Sequence, residues 1–435
     1  MSLQNYSEYI DSGIKWIGLM PAHWSVQRYK QIFKEREERS ESGNETLLSV
    51  SAYTGVSPRS ELIDDGDHLS RAESLEGYRI CHPNDLVVNT MLAWNRGLGV
   101  SKHHGIVSPA YAVYEPLQGN IPRYLDYMVR SDKVTLYYKS FSSGVIDSRL
   151  RLYPDTFGSL YCLLPPIEEQ KSIAAFLDHE TAKIDALIAE QEKLIALLAE
   201  KRQATISHAV TRGLNPDVPM KDSGVAWLGE VPAHWEVMTF QRCVYVQEGQ
   251  VNPEDEPYSS MVLIAPNHIE SGTGRLIETE TAKEQAAESG KYLCKKGDVI
   301  YSKIRPALRK VCLAPEDCLC SADMYPMRGS SKLSNAFLMW FMLSEPFSAL
   351  TVLESERVAM PKINRESLKA VWLPVPTAHE QAEIVDYLAE ETAKLDSLRT
   401  ESEGVIALLK ERRSALIAAA VTGQIDVRNF LAEAS

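Results

Sequence analysis

Several constellations along the chain have residue types that could do chemistry. Pro154-Asp155 followed by Glu169-Gln170-Lys171 has the loose Pro-Asp…Glu-x-Lys order of Mg²⁺-dependent nucleases, whose carboxylates hold the metal. Here the Glu-x-Lys opens a helix rather than a strand, and a second copy of the segment has Ala382 in place of Lys171. Glu169 and its counterpart Glu380 therefore read better as helix-start acids. His103-His104 offers two metal ligands with no third in view, and a DNA-facing or surface role fits better. Lys183-x-Asp185 and Lys394-x-Asp396 read as helix-surface or partner-contact pairs. A base-flipping adenine methyltransferase needs (Asp/Asn)-Pro-Pro-aromatic, and Asn215-Pro216-Asp217 and Asn252-Pro253-Glu254 both fail at the third residue. Gly290-Lys291 lacks the upstream Gly and following hydroxyl of a phosphate loop.

Other segments mix basic residues with Asn, Ser, His and aromatics, the types that contact phosphates and base edges. They are residues 89–97 and 102–111 in the first half, and 302–310, 320–325 and 356–364 in the second. Residues 142–151 are a candidate counterpart of 356–364. Trp94 could meet nucleic acid or be buried; solvated loops are the plainer reading of the rest. The whole chain carries a formal charge of -13, against non-specific coating of DNA. Locally, residues 291–313 hold seven Lys/Arg and one acid, and residues 91–151 eight and four. Residues 375–435 reverse this, with six bases and eleven acids. Basic patches on an acidic frame suit a protein that grips DNA in places and offers other faces to proteins.

What must position these segments is a tandem repeat. Asp11 to Trp24 (DSGIKWIGLMPAHW) returns as Asp222 to Trp235 (DSGVAWLGEVPAHW), an offset of 211. Glu169-Gln170, Thr181-Ala182-Lys183, Ala196-Leu197-Leu198 and Ala209-Val210-Thr211 return at the same offset. Because Trp16, Trp24, Trp227 and Trp235 recur where the halves otherwise differ, core packing is favoured over base stacking. Residues 27–163 and 238–374 share little beyond strand starts at Asn84-Asp85 and Gly297-Asp298. Each half thus reads as a shared leading motif, a variable mixed α and β domain, and a shared helix.

The helices follow Pro165-Pro166 and Pro374/Pro376, with acids in the first turn. A heptad pattern places Ile184, Leu187, Leu194 and Leu198 on one seam and Leu395, Leu398, Val405 and Leu409 on the other. Ile188, Ile195 and Ile206 widen the apolar face. The second start has one extra residue between its first proline and Glu-Gln, which leaves that start open. A helix of ~45 residues spans ~67 Å. The ~15 residues from Arg212 to Trp227 reach at most ~50 Å. The second domain must then lie near the end of the first helix, and the second helix must run back antiparallel.

The chain resembles the specificity subunits of type I restriction-modification systems. The resemblance rests on Trp16-x-Gly-x-x-Pro-x-x-Trp24 and its repeat, Pro165-Pro166-x-x-Glu169-Gln170, Thr181 to Asp185, Ser302 to Pro306, Ser321 to Tyr325 and the two-copy layout. It implies an α+β fold: two target-recognition domains separated by a long antiparallel two-helix coiled coil, related by a pseudo-two-fold repeat. The expected boundaries are 1–163 (first recognition domain), 164–211 (first spacer helix), 212–374 (linker, repeated motif and second recognition domain) and 375–435 (second spacer helix and tail). It implies no catalytic centre, no metal and no cofactor on this chain, with S-adenosylmethionine, ATP and Mg²⁺ expected on partner subunits. The implied partners are double-stranded DNA, two methyltransferase subunits and restriction-translocase subunits. Within that frame the candidate DNA contacts are Asn95, Arg96, Lys102, His103, Ser108, Arg149 and Arg151, and Lys303, Arg305, Arg309, Lys310, Arg357, Lys362 and Asn364. Seven scattered cysteines without zinc spacing and no apolar run near ~20 residues suggest a cytoplasmic protein away from the membrane. A protein-only scaffold and the nuclease reading are the alternatives.

Overall fold

The run Leu86-Val87-Val88-Asn89 is buried at every position, which marks a strand covered on both faces. Alternate residues of a strand point to opposite faces. Leu86 and Val88 accordingly enter a large core with Tyr29, Tyr124, Tyr138 and Phe157, while Val87 enters a smaller one with Leu48, Val50, Cys81 and Val107. The structure, a computed structural model, describes residues 4–52, 54–61, 74–117, 119–146, 149–355 and 361–430. Arg357 lies outside the described residues.

The chain divides into two compact units, one of residues 1–191 with 404–435 and one of residues 192–403. The first unit is built on a four-stranded antiparallel sheet in the order Phe33–Glu35, Tyr111–Pro116, Leu86–Asn89, Leu98–Val100. Helices Pro122–Arg130 and Asp132–Phe141 follow the last of these strands in sequence. Pro122 sits in the first turn, where its missing N–H costs nothing. The second unit repeats the order with Val244–Val246, Met324–Gly329, Val299–Ser302 and Val311–Leu313. Its helices are Asn335–Leu343 and Glu345–Ser355. Here too Val299 and Tyr301 serve one core and Ile300 another. The two domains that share little sequence thus share a topology. The first strands keep the offset of 211 (Phe33 with Val244), but the other three are offset by 213 (Leu86 with Val299, Tyr111 with Met324), so short length changes hide the repeat.

The long helices are Ile167–Arg212 and Ala378–Val421, of 46 and 44 residues. In the first unit the start of one (Ile173, Phe176, Leu177) shares a core with the end of the other (Ala420, Val421). Further along, Arg413 donates to Asp185 at 2.9 Å, so the helices run antiparallel there. In the second unit Ile206, Ala209 and Val210 share a core with Ile384 and Leu388. The equivalent ion pair is Arg202 with Asp396 at 3.3 Å. Arg202 and Arg413 are 211 apart, as are Asp185 and Asp396.

One column of the expected seam needs correction. Ile184, Leu198 and Leu395 are buried and Leu409 is half-buried. Leu187, Leu194, Leu398 and Val405 are instead 53%, 41%, 48% and 41% exposed. The inward column falls one residue later, at Ile188, Ile195 and Arg202 in the first helix and Arg399, Ile406 and Arg413 in the second, all buried or half-buried. Apolar side chains occupy both columns, so periodicity does not separate them. The ion pairs do, because the later column carries the two arginines, Arg202 and Arg413, that meet an aspartate on the facing helix.

The second helix start also resolves. Thr377 caps it: Glu380 N donates to Thr377 Oγ1 at 3.3 Å and Thr377 N donates to Glu380 Oε2 at 3.2 Å. Pro165 is matched by Pro376, and no residue is inserted.

Candidate nucleic-acid interface

The repeated motifs turn out to be two ends of one fastening. Trp24 Nε1 donates to Glu169 at 3.0 Å, His23 Nε2 lies 2.7 Å from its other oxygen, and Tyr6 donates its hydroxyl to the same carboxylate. In the second copy Trp235 Nε1 donates to Glu380 at 3.1 Å and His234 Nε2 lies at 2.8 Å. Gln170 accepts from Ile121 N at 2.9 Å and donates to Pro165 O at 3.0 Å. Gln381 accepts from Ser334 N at 2.8 Å and donates to Pro376 O at 2.9 Å. Each Glu-Gln pair thus ties the leading motif and the domain's own helix to the start of a long helix. Trp24 and Trp235 are core residues, and Trp16 stacks on Tyr137 at 4.7 Å. Glu169 is occupied by these donors while Asp155 stands exposed in the separate helix Pro154–Ser159, so the Pro-Asp…Glu-x-Lys order does not converge on one centre. Among the described residues no group of three His, Cys, Asp or Glu could hold a metal ion.

Two of the basic segments in each unit meet at one end of its sheet. In the first unit, strand Leu86–Asn89 ends in the loop carrying Asn95 and Arg96. Thr90 binds this loop to its neighbours: its hydroxyl donates to Ala110 O at 3.1 Å, and its carbonyl accepts from Leu152 N at 2.8 Å. Ser143 and Arg151 pair as a bridge, which brings Arg149 and Arg151 to the same end. Asn95, Arg149 and Arg151 are exposed. Trp94 is half-buried there, its Nε1 donating to Met91 O at 2.9 Å and Lys139 Nζ standing 5.3 Å from its ring centroid.

The second unit builds the same face. Lys303 N donates to Asp323 O at 3.0 Å, Ile363 N to Lys303 O at 2.9 Å, and Arg305 N to Pro361 O at 2.9 Å. The contact of Ile363 N with Lys303 O matches that of Leu152 N with Thr90 O in the first unit, and a bridge of Ile304 with Lys362 adjoins it. Residues 142–151 and 356–364 are therefore counterparts so far as they are described. Arg305 and Lys362 are exposed.

Other candidates have different surroundings. Lys102 and His103 follow strand Leu98–Val100 at the opposite end of the sheet, beside Asn84, so they do not join Asn95 and Arg151. Ser108 takes part in a turn, accepting from Ala110 N at 3.3 Å. Lys303 donates to Ala322 O and Lys310 to Pro266 O, both at 2.6 Å. Asn364 caps a short helix by accepting from Ser367 N at 2.8 Å. Arg96 pairs with Asp132, and Arg309 with Glu345 at 3.1 Å. The local excess of charge over 291–313 is likewise divided: Lys291 is buried against Ser289, and Lys295 meets Asp317 at 2.8 Å. Composition reports a charge total, whereas strand direction decides to which end each charge goes.

Comparison with known proteins agrees with this layout. Residues 244–405 match the type I restriction modification DNA specificity domain. The chain is 31% identical over 280 residues to the type I restriction enzyme EcoDI specificity subunit of Escherichia coli, covering 61% of this chain and 62% of that protein. It is 25% identical over 277 residues to the EcoBI specificity subunit of Escherichia coli, covering 61% and 58%. The chain thus spans about 60% of the length of these two curated relatives. With the MjaVIII specificity subunit of Methanocaldococcus jannaschii it shares 24% identity over 321 residues, 71% of each. In fold, a solved chain from a study of assembly and conformational transition of the type I R-M system superposes with a TM-score of 0.70 at 16% identity, over 93% of this chain and 99% of that one. The HsdS subunit of Thermoanaerobacter tengcongensis superposes with 0.52 at 15% identity, over 93% and 98%. In sequence this chain is similar to the specificity subunits of type I restriction enzymes, its residues 244–405 match the DNA specificity domain, and its fold is similar to that of the two solved chains.

Proposed function

We propose that the chain is the DNA-recognition subunit of a type I restriction-modification complex and has no catalytic role of its own. Each domain reads one half of a bipartite site, and the long helices form an antiparallel spacer that holds the readers apart. The observation that carries this is the pair of equivalent sheet ends with different side chains. Asn95, Arg149 and Arg151 occupy one, and Arg305 and Lys362 the other, on one shared topology. Equal scaffolds with unequal reading loops are what two different half-sites require.

The helices also have apolar side chains left outside: Leu187, Val405 and Leu408 in the first unit, and Leu398, Leu194 and Leu197 in the second. These two sets are equivalent under the 211-residue repeat. Two like patches suit two copies of one partner, the methyltransferase subunit, with restriction-translocase subunits joining that core. S-adenosylmethionine, ATP and Mg²⁺ chemistry then belongs to those partners. All seven cysteines are free and buried, which suits the reducing cytoplasm. Among the described residues no single helix is long and apolar enough to cross a membrane.

Methylation mapping of a genome with and without this chain tests the proposal. The expected result is one bipartite motif, methylated only when the chain is present. An unchanged methylation pattern, with no sequence-dependent DNA retention by the chain assembled with methyltransferase, would leave a protein-only scaffold instead.

A further inference from the structure

Arg96 and Arg309 invite assignment as DNA contacts, since each closes a loop that carries an exposed reading candidate. Their surroundings are alike in a way the sequence does not display. Each follows a short 3-10 turn, Ala93–Asn95 or Pro306–Leu308, and each takes left-handed backbone, with φ of 58° and 47°. Each guanidinium pairs with the first residue of the second domain helix, Asp132 or Glu345. An acid in that first turn is favoured by the helix dipole, so the pair is anchored on its acidic side as well.

The third member comes from a long helix, and from the other repeat each time. In the first unit Ser414 donates its hydroxyl to Asp132. In the second, Arg309 Nη1 donates to the side-chain oxygen of Gln203. Ser414 and Gln203 are 211 apart, and Arg96 and Arg309 are 213 apart, as are Asp132 and Glu345. The second junction is further tied down. Gln203 Nε2 donates to Leu343 O at 3.0 Å, and Ser207 Oγ accepts from Glu345 N at 2.9 Å. The chemistry differs between copies: Ser414 meets the carboxylate of its pair, Asp132, whereas Gln203 meets the guanidinium of its pair, Arg309.

We infer that Arg96 with Asp132 and Ser414, and Arg309 with Glu345 and Gln203, are paired struts that set the angle of each reading loop on the spacer helix. They are positioning residues rather than DNA contacts. The inference rests on the recognition function proposed above and deepens it: half-site geometry is held at these two junctions. Arg309 already spends charge and donors on a carboxylate and an amide, and Arg96 on a carboxylate, which opposes their turning to a phosphate. A loop that reads base edges must be held to within roughly 0.5 Å by its supports.

The test uses the full chain assembled with its methyltransferase partner. Binding is measured on duplexes carrying the bipartite site with its native gap, and with the gap lengthened or shortened by one base pair, over a range of salt concentrations. Arg309→Ala and Glu345→Gln should each lower the preference for the native gap about tenfold, roughly 1.4 kcal/mol. The salt dependence should stay as in the wild type, and the double variant should be no worse than either single one. A salt slope reduced by about one in Arg309→Ala alone would make that arginine a phosphate contact and overturn the inference. A lowered Tm with gap preference intact would overturn it too, leaving a merely structural pair. Loss of any sequence preference in the wild-type complex would instead overturn the recognition function itself.

Discussion

At the scale of single residues, Glu380 shows how a motif shared by both repeats can look like chemistry and be structure. Burial raises its pKa, but hydrogen bonds from Trp235, Thr377 and His234 outweigh that and hold it at about 2. A carboxyl held below its ordinary 4.5 stabilises the fold above that value and loses the contribution as pH falls toward 2. The resistance of the wild type to urea should therefore weaken as pH falls from about 5 to 2, and Glu380→Ala should flatten that dependence. At pH 7 the same variant should lose about 2–3 kcal/mol, because the indole N–H of buried Trp235 is left without its acceptor. The reading residues should behave oppositely. Arg305→Ala or Lys362→Ala should leave stability within about 0.5 kcal/mol, since both are exposed. A base-reading change should cost ~1–3 kcal/mol at one position of the site, and a phosphate contact should weaken all sequences alike. DNA binding that is untouched by either variant would remove them from the interface.

At the scale of elements, the long helices present two apolar columns, and only one faces the neighbouring helix. Leu398 is 48% exposed on the outer column, whereas Ile406, one residue past exposed Val405, is half-buried on the inner one. Leu398→Lys should then change stability by no more than about 0.5 kcal/mol. If the outer column docks a partner, the same change should reduce methyltransferase loading from two copies per chain to one, read by native mass spectrometry. Full loading at the wild-type affinity would exclude that column from the docking face. Ile406→Lys, by contrast, should weaken the helix pair itself, by roughly 1–3 kcal/mol.

At the scale of the whole molecule, the last residues complete the first unit. Ile425 and Val427 are buried in its core, Tyr9 donates its hydroxyl to Gly423 O at 2.9 Å, and Asp426 N donates to Gln4 O at 2.8 Å. Removing residues 423–430 should lower hydrogen-exchange protection in the strands of residues 86–116 and spare those of residues 299–329. Equal loss in both would mean that the units do not fold as separate cores. If the helices act as a spacer, deleting one heptad from each should bring the half-sites closer by ~10 Å, about three base pairs. An unchanged methylation motif would end that reading.

The repeat, the two long helices and their antiparallel course were all legible in the sequence. Each rests on local pattern or on chain length, and such signals survive without knowledge of neighbours. Which apolar column turns inward, that Glu169 and Glu380 fasten Trp24 and Trp235, and that Lys102 lies at the far end of the sheet from Arg151 were decided only by tertiary structure. So was the equivalence of Arg96 with Arg309, hidden by a two-residue change of offset. The reason is physical: periodicity reports how a side chain alternates along its own element. Whether a charge is free or paired depends on which distant element packs against it.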